Sequence, residues 1–261
     1  MSEYQENSVV QTIERFADAT YRLTLQAPRI AAAAQPGQFV MAACGPTLDP
    51  LLRRPFSIHQ AAETGTIQLL FKVIGRGTKL LSESRPGESI SLIGPLGRGF
   101  QLANESPVCL IGGGMGIAPL FFLAHHILQQ SRAKGSCLVL LGAGTGAEIQ
   151  QLATEFNALG CEVQTATDDG SLGHHGLVTE LLPPYLAQTK KVHTCGPFAM
   201  MAAVAGLCRD AAVPCEASLE AHMACGLGAC LGCTIHGADA RYKHVCKHGQ
   251  VFDAGEVAWT R

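Results

Sequence analysis

The feature that most constrains this chain is a run of cysteines near its end, Cys225-x4-Cys230-x2-Cys233-x12-Cys246. Three thiols so close together must wrap a common centre, so the backbone between them has to turn tightly and approach that centre closely. Gly226, Gly228 and Gly232 allow this, because glycine enters the left-handed region most freely. The small Ala224 and Ala229 keep the loop uncrowded. C-x4-C-x2-C with a distant fourth cysteine is the spacing of plant-type [2Fe–2S] ligation, in which loop N–H groups can point at sulfur and tune it. A four-thiolate zinc site pairs two close cysteines with two close cysteines, which fits three close and one distant poorly. The fourth cysteine follows a hairpin-like segment, Thr234–Val245, turning around Gly237-Ala238-Asp239.

The remaining seven of the 11 cysteines are scattered: Cys44, Cys109, Cys137, Cys161, Cys195, Cys208 and Cys215. Cys109, Cys137, Cys161 and Cys195 fall in predicted strands, and the buried small hydrophobe is the default for most of them. The opening MSEYQENSVV has no basic n-region and no apolar h-region, so a cytoplasmic chain with reduced thiols is expected. A chain of 261 residues buries enough apolar surface to need no disulfide framework. With 47% hydrophobic and 15% charged residues it is not a disordered protein. A net charge of −2 and 6% aromatics leave no footprint for nucleic acid and no polybasic membrane patch. The stretch Ser106–Ser131 lacks Asp, Glu, Lys and Arg and has the length of a bilayer span. Gly112, Gly113, Gly114, Gly116 and Pro119 interrupt it, so a buried strand, a glycine turn and a helix from about Ala118 explain it better.

Three textures follow one another. Residues 1–102 read as short strands (Tyr21–Leu25, Gly37–Ala42, Ile67–Ile74, and Ser89–Ile93 ended by Gly94-Pro95) with turns every ten or so residues, which predicts a small antiparallel barrel. Residues 103–215 alternate strand and helix: Val108–Ile111, Ala118–Gln130, Cys137–Leu141, Ala147–Ala158, Cys161–Thr165, Val192–Cys195 and Ala199–Asp210. That is the pattern of a parallel α/β sheet with ligands at the strand C-termini. Residues 216–261 are Cys-dense and too few to make a core unaided, so a bound centre is expected to staple them.

Arg53-Arg54-Pro55-Phe56-Ser57 sets cations, a rigid proline, an aromatic and a hydroxyl in a row. In an extended strand Arg54 and Phe56 share a face: Arg54 can neutralise a pyrophosphate, Phe56 can pack on a flat ring, and Ser57 can hydrogen-bond a ring heteroatom. Phe71-Lys72-Val73-Ile74-Gly75-Arg76-Gly77-Thr78 then ends a strand in a turn that offers N–H groups to phosphate. Gly94-Pro95-Leu96-Gly97-Arg98-Gly99-Phe100 either closes the barrel or links two domains. Further on, Gly112-Gly113-Gly114-Met115-Gly116 follows a strand and opens a helix, a pyrophosphate-type turn. Asp168-Asp169 and Cys195-Gly196-Pro197 end other strands at the same sheet edge. Between Lys134 and Lys190 there is no Lys or Arg, while six acids fall there. A ribose 2′-OH can use a carboxylate and a 2′-phosphate needs a cation, so NAD is expected over NADP.

In order, RRPFSI, GPLGRGF, GGGMGIAPL, ATDDGSLGHHG, TCGPFAMM and EAHMACGLGACLGC…VC resemble the ferredoxin-reductase superfamily. Within it the chain is similar, over nearly its whole length, to the electron-transfer subunits of dihydroorotate dehydrogenase B. The resemblance implies FAD, one [2Fe–2S] cluster, NAD, and an FMN-containing catalytic partner that oxidises dihydroorotate, in a heterotetramer of two of each chain. It implies that Arg54, Pro55, Phe56, Ser57, Leu70, Phe71, Lys72, Gly77 and Thr78 bind FAD, with Ser57 near the flavin N5. It implies that Cys225, Cys230, Cys233 and Cys246 hold the cluster. Gly112, Gly113, Gly114, Gly116, Asp168, Asp169, Cys195, Gly196 and Pro197 are the candidate NAD contacts. One departure is Lys247-His248-Gly249-Gln250-Val251-Phe252, where the family commonly has an acidic residue and Gly-Pro; it makes the surroundings of Cys246 more basic.

Electron counting then orders the parts. NAD takes a hydride, a [2Fe–2S] cluster passes one electron, and a flavin converts between the two. The expected route runs from the partner's FMN through the cluster and FAD to NAD+, with no residue here placed as the base for dihydroorotate. The competing readings are an NAD(P)H-linked reductase subunit of another complex, of sulfide dehydrogenase or hydrogenase type, and a binding module with structural zinc.

Overall fold

The computed structural model describes residues 3–45, 49–102, 106–130 and 136–259. The first unit holds β1 (Tyr4–Ala17), β2 (Thr20–Gln26), α1 (Pro28–Ala33), β3 (Phe39–Ala42), β4 (Arg54–Ala61), β5 (Thr66–Lys72), α2 (Arg76–Ser82) and β6 (Ser89–Leu96). Its six strands close a barrel in the order β1-β2-β5-β4-β3-β6. Neighbours run antiparallel, and β6 closes the ring by pairing with both β1 and β3. Leu23, Leu25, Val40, Ile58, Ile67, Leu69 and Leu92 fill one core, placed there by the two-residue alternation of the strands.

Two sequence expectations change here. The strand predicted to end at Gly94-Pro95 runs on to Leu96. Gly94 lies so near β3 that a Cβ would come within 2.7 Å of Val40 Cγ1, so this glycine admits a neighbouring strand and does not end its own. The segment Gly94–Phe100 therefore closes the barrel with its first half and leads out of it with its second. The fourteen-residue β1 and the helix α1 go beyond the predicted elements. In β1 only Ser8, Val10 and Phe16 are buried, so it carries no apolar run to announce it.

The second unit holds β7 (Val108–Gly113), α3 (Ala118–Gln130), β8 (Cys137–Ala143), α4 (Gly146–Leu159), β9 (Glu162–Thr167), β10 (His174–His175), α5 (Pro183–Leu186), β11 (Lys191–Cys195), α6 (Phe198–Asp210) and β12 (Cys215–Ser218). Strands β7, β8, β9, β11 and β12 are parallel, so the loops that follow them gather at one edge. Both faces of β7 and β8 are covered, which accounts for their unbroken apolar sequence. The uncharged run from Ser106 resolves into β7, a 3-10 turn at Gly114–Ile117 and the thirteen-residue α3. Among the described residues no helix is long and apolar enough to cross a membrane.

The last segment adds β13 (Thr234–His236), β14 (Tyr242–His244), α7 (Val245–His248) and β15 (Val251–Asp253). The hairpin expected over 234–245 is present as β13 and β14. This segment is not a separate bead, because β15 pairs antiparallel with β12 and ends the seven-stranded sheet β10-β9-β8-β7-β11-β12-β15. β12 itself straddles the division expected at 215/216, and the division expected at 102/103 adjoins residues outside the described ones. An apolar staple is present: Cys233, Val245, Cys246 and Phe252 share a buried cluster with Phe39, Met41 and Leu96 of the barrel and with Ala217 and Leu219.

Candidate functional site

The four cysteines of the tail stand as two pairs. Cys233 and Cys246 are buried, their sulfurs 3.3 Å apart. Cys225 and Cys230 lie nearer the surface, and the Cys230 N–H donates to Cys225 Sγ at 3.4 Å. The Gly228 N–H donates to Cys246 Sγ at 3.1 Å and thereby faces one pair toward the other. The Leu227 N–H also donates to Cys225 Sγ, the Gly232 N–H to Cys230 Sγ and the Cys246 N–H to Cys233 Sγ. Gly226 sits at φ 71°, where a Cβ would come within 2.5 Å of Met41, so the loop is pressed against the barrel. Burial pushes the Cys225 thiol up, but the N–H groups of Cys230 and Leu227 outweigh it and bring it down to about 6. Burial and the adjoining Cys233 push Cys246 up to about 12. Among the described residues no group of three or more His, Cys, Asp or Glu side chains is arranged to hold a metal ion. Two facing thiol pairs ringed by N–H donors fit a two-iron cluster, for which thiolates are the ligand form.

A cavity of about 320 Å³ opens beside this loop. From β4 it is lined by Arg54, Pro55, Phe56 and Ser57, from β5 by Leu70, Phe71 and Lys72, and from α2 by Thr78. The Phe56 and Phe71 rings meet at 5.5 Å. Gly77 stands just behind the wall, where a Cβ would press on Cys44 and Arg54. Alternation separates the two arginines: Arg54 faces the cavity, and Arg53 instead donates to the Ser91 carbonyl and hydroxyl of β6. The turn at Gly75 holds a surprise, because the Ile74 and Gly75 N–H groups donate to Thr78 Oγ1 and not outward. The sequence reading missed the far wall, formed by Met115, Leu219, Glu220, Met223 and Gln250. Its one signal was position, since these residues flank the glycine turn and the first and last cysteines. The Phe56 ring and this largely apolar wall suit a flat ring between them, with Arg54 at hand for phosphate and Lys72 paired with Glu148 at 3.2 Å.

Two further cavities continue along the sheet edge. One, of about 500 Å³, is lined by Gly113, Gly114, Met115, Gly116, Gly196 and Pro197, with Leu219, Glu220 and His236 opposite. It shares Met115, Leu219 and Glu220 with the flavin-type cavity, so the two abut. The other, of about 410 Å³, shares Gly113, Gly114 and Pro197 and runs past Gly142, Gly144 and Asp168. No Lys or Arg is among the described residues that line it. This trough suits a dinucleotide at the C-terminal edge of a parallel sheet. Three candidates stand outside it. Gly112 lies within β7, where a Cβ would press on Ile117 and Leu120. The Asp169 carboxylate accepts from the Ser171 N–H and hydroxyl, which hold it below the usual range. Cys195 is buried at the end of β11 opposite Ser218, and burial pushes its thiol well above the ordinary range.

Successive parts of the chain match three known families. Residues 9–100 match the oxidoreductase FAD-binding domain, 110–206 the oxidoreductase NAD-binding domain, and 220–258 the iron–sulfur cluster binding domain of dihydroorotate dehydrogenase B. The electron transfer subunit of dihydroorotate dehydrogenase B (NAD(+)) from Desulforamulus reducens is 42% identical over 257 residues, 96% of this chain and 97% of its own. That of Geobacillus kaustophilus is 38% identical over 97% of this chain and 98% of its own. Among solved structures, an NADH-dependent reduced ferredoxin–NADP oxidoreductase superposes with a TM-score of 0.85 at 27% identity, over 97% of this chain and 90% of that one. On this sequence and architecture, the chain belongs to the family of dihydroorotate dehydrogenase B electron-transfer subunits.

Proposed function

We propose that this chain carries electrons from an FMN-containing, dihydroorotate-oxidising partner to NAD+, through a [2Fe–2S] cluster on the tail and FAD on the barrel. The observation that carries the reading is adjacency. The cysteine-bearing tail reaches the flavin-type cavity through Gln250, which hydrogen-bonds Ser57, and that cavity shares Met115, Leu219 and Glu220 with the nucleotide trough. Bound there, FAD would supply the conversion of single electrons into a hydride. Cys225, Cys230, Cys233 and Cys246 hold the cluster. Arg54 would neutralise flavin phosphate, with Lys72, itself paired to Glu148, beside it; Pro55, Phe56, Leu70 and Phe71 would wall the ring, and Gly77 and Thr78 would shape the phosphate turn. Ser57 would offer its hydroxyl to the flavin near N5. Gly113, Gly114, Gly116, Gly196 and Pro197 admit the nucleotide closely, with Asp168 on its ribose, while Gly112, Asp169 and Cys195 shape the trough from behind.

On this reading residues 1–102 form the flavin unit, 103–215 the nucleotide unit and 216–261 the cluster unit. The protein works in the cytoplasm, as a heterotetramer with two copies of its partner. A second reading, a reductase subunit serving another complex, draws on the likeness to the NADH-dependent ferredoxin–NADP oxidoreductase. Reconstitution separates the two. With a candidate FMN-containing catalytic chain, the pair should co-purify and convert dihydroorotate to orotate with NAD+ reduced at least tenfold faster than NADP+. Flavin and iron present without any such coupling would favour the second reading.

A further inference from the structure

Gln250 lies four residues beyond the ligand Cys246, yet its side chain ends in the barrel. Its Nε2 donates to Ser57 Oγ at 3.1 Å, across 193 residues of sequence. It is 5% exposed, and its backbone is fixed on both sides: its carbonyl accepts from the Leu219 N–H, and it bridges to Arg98. Among the described residues Gln250 is the one hydrogen-bond partner of the Ser57 hydroxyl. Both residues line the flavin-type cavity.

We propose that Gln250 is a positioning residue, which turns the Ser57 hydroxyl proton into the flavin cavity and so fixes Ser57 as a hydrogen-bond donor there. A serine hydroxyl has one proton and two lone pairs. The Gln250 amide N–H takes a lone pair and offers the Ser57 proton nothing to accept it. The proton is left to the open side, which is the cavity. This rests on the reading that Ser57 meets the ring at N5. An oxidised flavin N5 accepts a hydrogen bond, and the reduced N5 carries a hydrogen of its own. A serine locked as donor therefore favours the oxidised ring and holds the flavin potential down. The cluster-bearing tail thus sets the polarity of a flavin contact through one side chain.

The test is a double-mutant cycle on the FAD-loaded chain, read by potentiometric titration of the flavin absorbance. Gln250→Met and Gln250→Leu both lack the donor but differ in shape. Each should raise the two-electron midpoint potential by the equivalent of about fivefold in the oxidised-to-reduced equilibrium, about 20 mV. In a Ser57→Ala background both shifts should vanish. An unmoved potential, or a shift that survives without the Ser57 hydroxyl, overturns the proposal and leaves Gln250 as a prop for the tail. FAD content separates this from the underlying reading: a wild-type chain that takes up no FAD sinks the cavity assignment and the proposal with it, whereas FAD bound with no shift sinks the proposal alone.

Discussion

Of the four cysteines proposed to hold the cluster, Cys230 alone is exposed, while Cys233 and Cys246 also belong to the apolar core of the tail. Removing a buried thiol would therefore confuse ligation with packing, and Cys230→Ser is the cleaner substitution. It trades a thiolate ligand for a hydroxyl that is a poor ligand for iron, at a position where little packing is lost. We expect iron per chain to fall to a small fraction of wild type, and the paramagnetic signal after dithionite to vanish. FAD per chain should stay within about a fifth of wild type, because no cluster cysteine lines the flavin cavity. Loss of FAD in parallel with iron would mean that the tail needs its cluster in order to fold. That outcome has a physical route, since Gln250 and Met223, which line that cavity, flank the cysteines.

At the scale of elements, the nucleotide trough depends on two loops touching through bare backbone. A Cβ on Gly116 would come within 2.4 Å of Gly196 Cα and N, atoms that cannot swing aside. Gly116→Ala should cost about 1–3 kcal/mol of overpacking, seen as a lower Tm and roughly tenfold weaker NADH binding with FAD and iron contents unchanged. Gly206, inside α6 with open space around it, is the control: Gly206→Ala should be neutral, or stabilising by about 0.5–1 kcal/mol. Equal effects at the two positions would refute the close-approach account. These same elements set how much could be read from the sequence. Strands buried on both faces and glycine turns opening helices were legible because their patterns are local, as were the four cysteines. The far wall of the flavin cavity was not. Leu219, Glu220, Met223 and Gln250 reach it only because β15 joins the sheet beside β12, and no local pattern announces that pairing. The tail's apolar staple was illegible for the same reason: its partners Phe39, Met41 and Leu96 lie in the barrel, far away along the chain.

Across the whole molecule, one of the contacts that hold the barrel against the sheet titrates. His59 of β4 is fully buried, its Nδ1 2.8 Å from the carbonyl of Ala118, the first residue of the helix that follows the glycine turn. Its ring stacks at 4.8 Å on Phe121, which in turn packs edge-on against Phe156 of α4. Nearby, Arg22 of β2 and Glu155 of α4 make a second tie at 2.5 Å, and Lys72 with Glu148 a third at 3.2 Å. Neutral His59 suits its place, donating from Nδ1 while Nε2 has no hydrogen-bond partner among the described residues. Burial, with the Arg22 charge as a lesser contribution, holds its pKa down to about 4 even though the Ala118 carbonyl opposes the shift. An unfolded histidine takes its proton near pH 6.5. Between pH 6.5 and about 4 the unfolded chain therefore binds more protons than the folded one, and stability falls with the pH through that window, by up to about 3 kcal/mol from this group. His59→Asn keeps a short donor toward Ala118 and has nothing to titrate there. Denaturant unfolding at pH 7.5, 6 and 5 should show the wild type losing more stability on acidification than the variant, with the gap opening below pH 6.5. The variant should be the less stable of the two at pH 7.5, where it has lost the ring packing on Phe121, and the curves should converge as His59 charges. Parallel curves across that range would mean that the barrel–sheet contact takes up the proton without strain, and that the ties through Arg22 and Lys72 carry the interface instead.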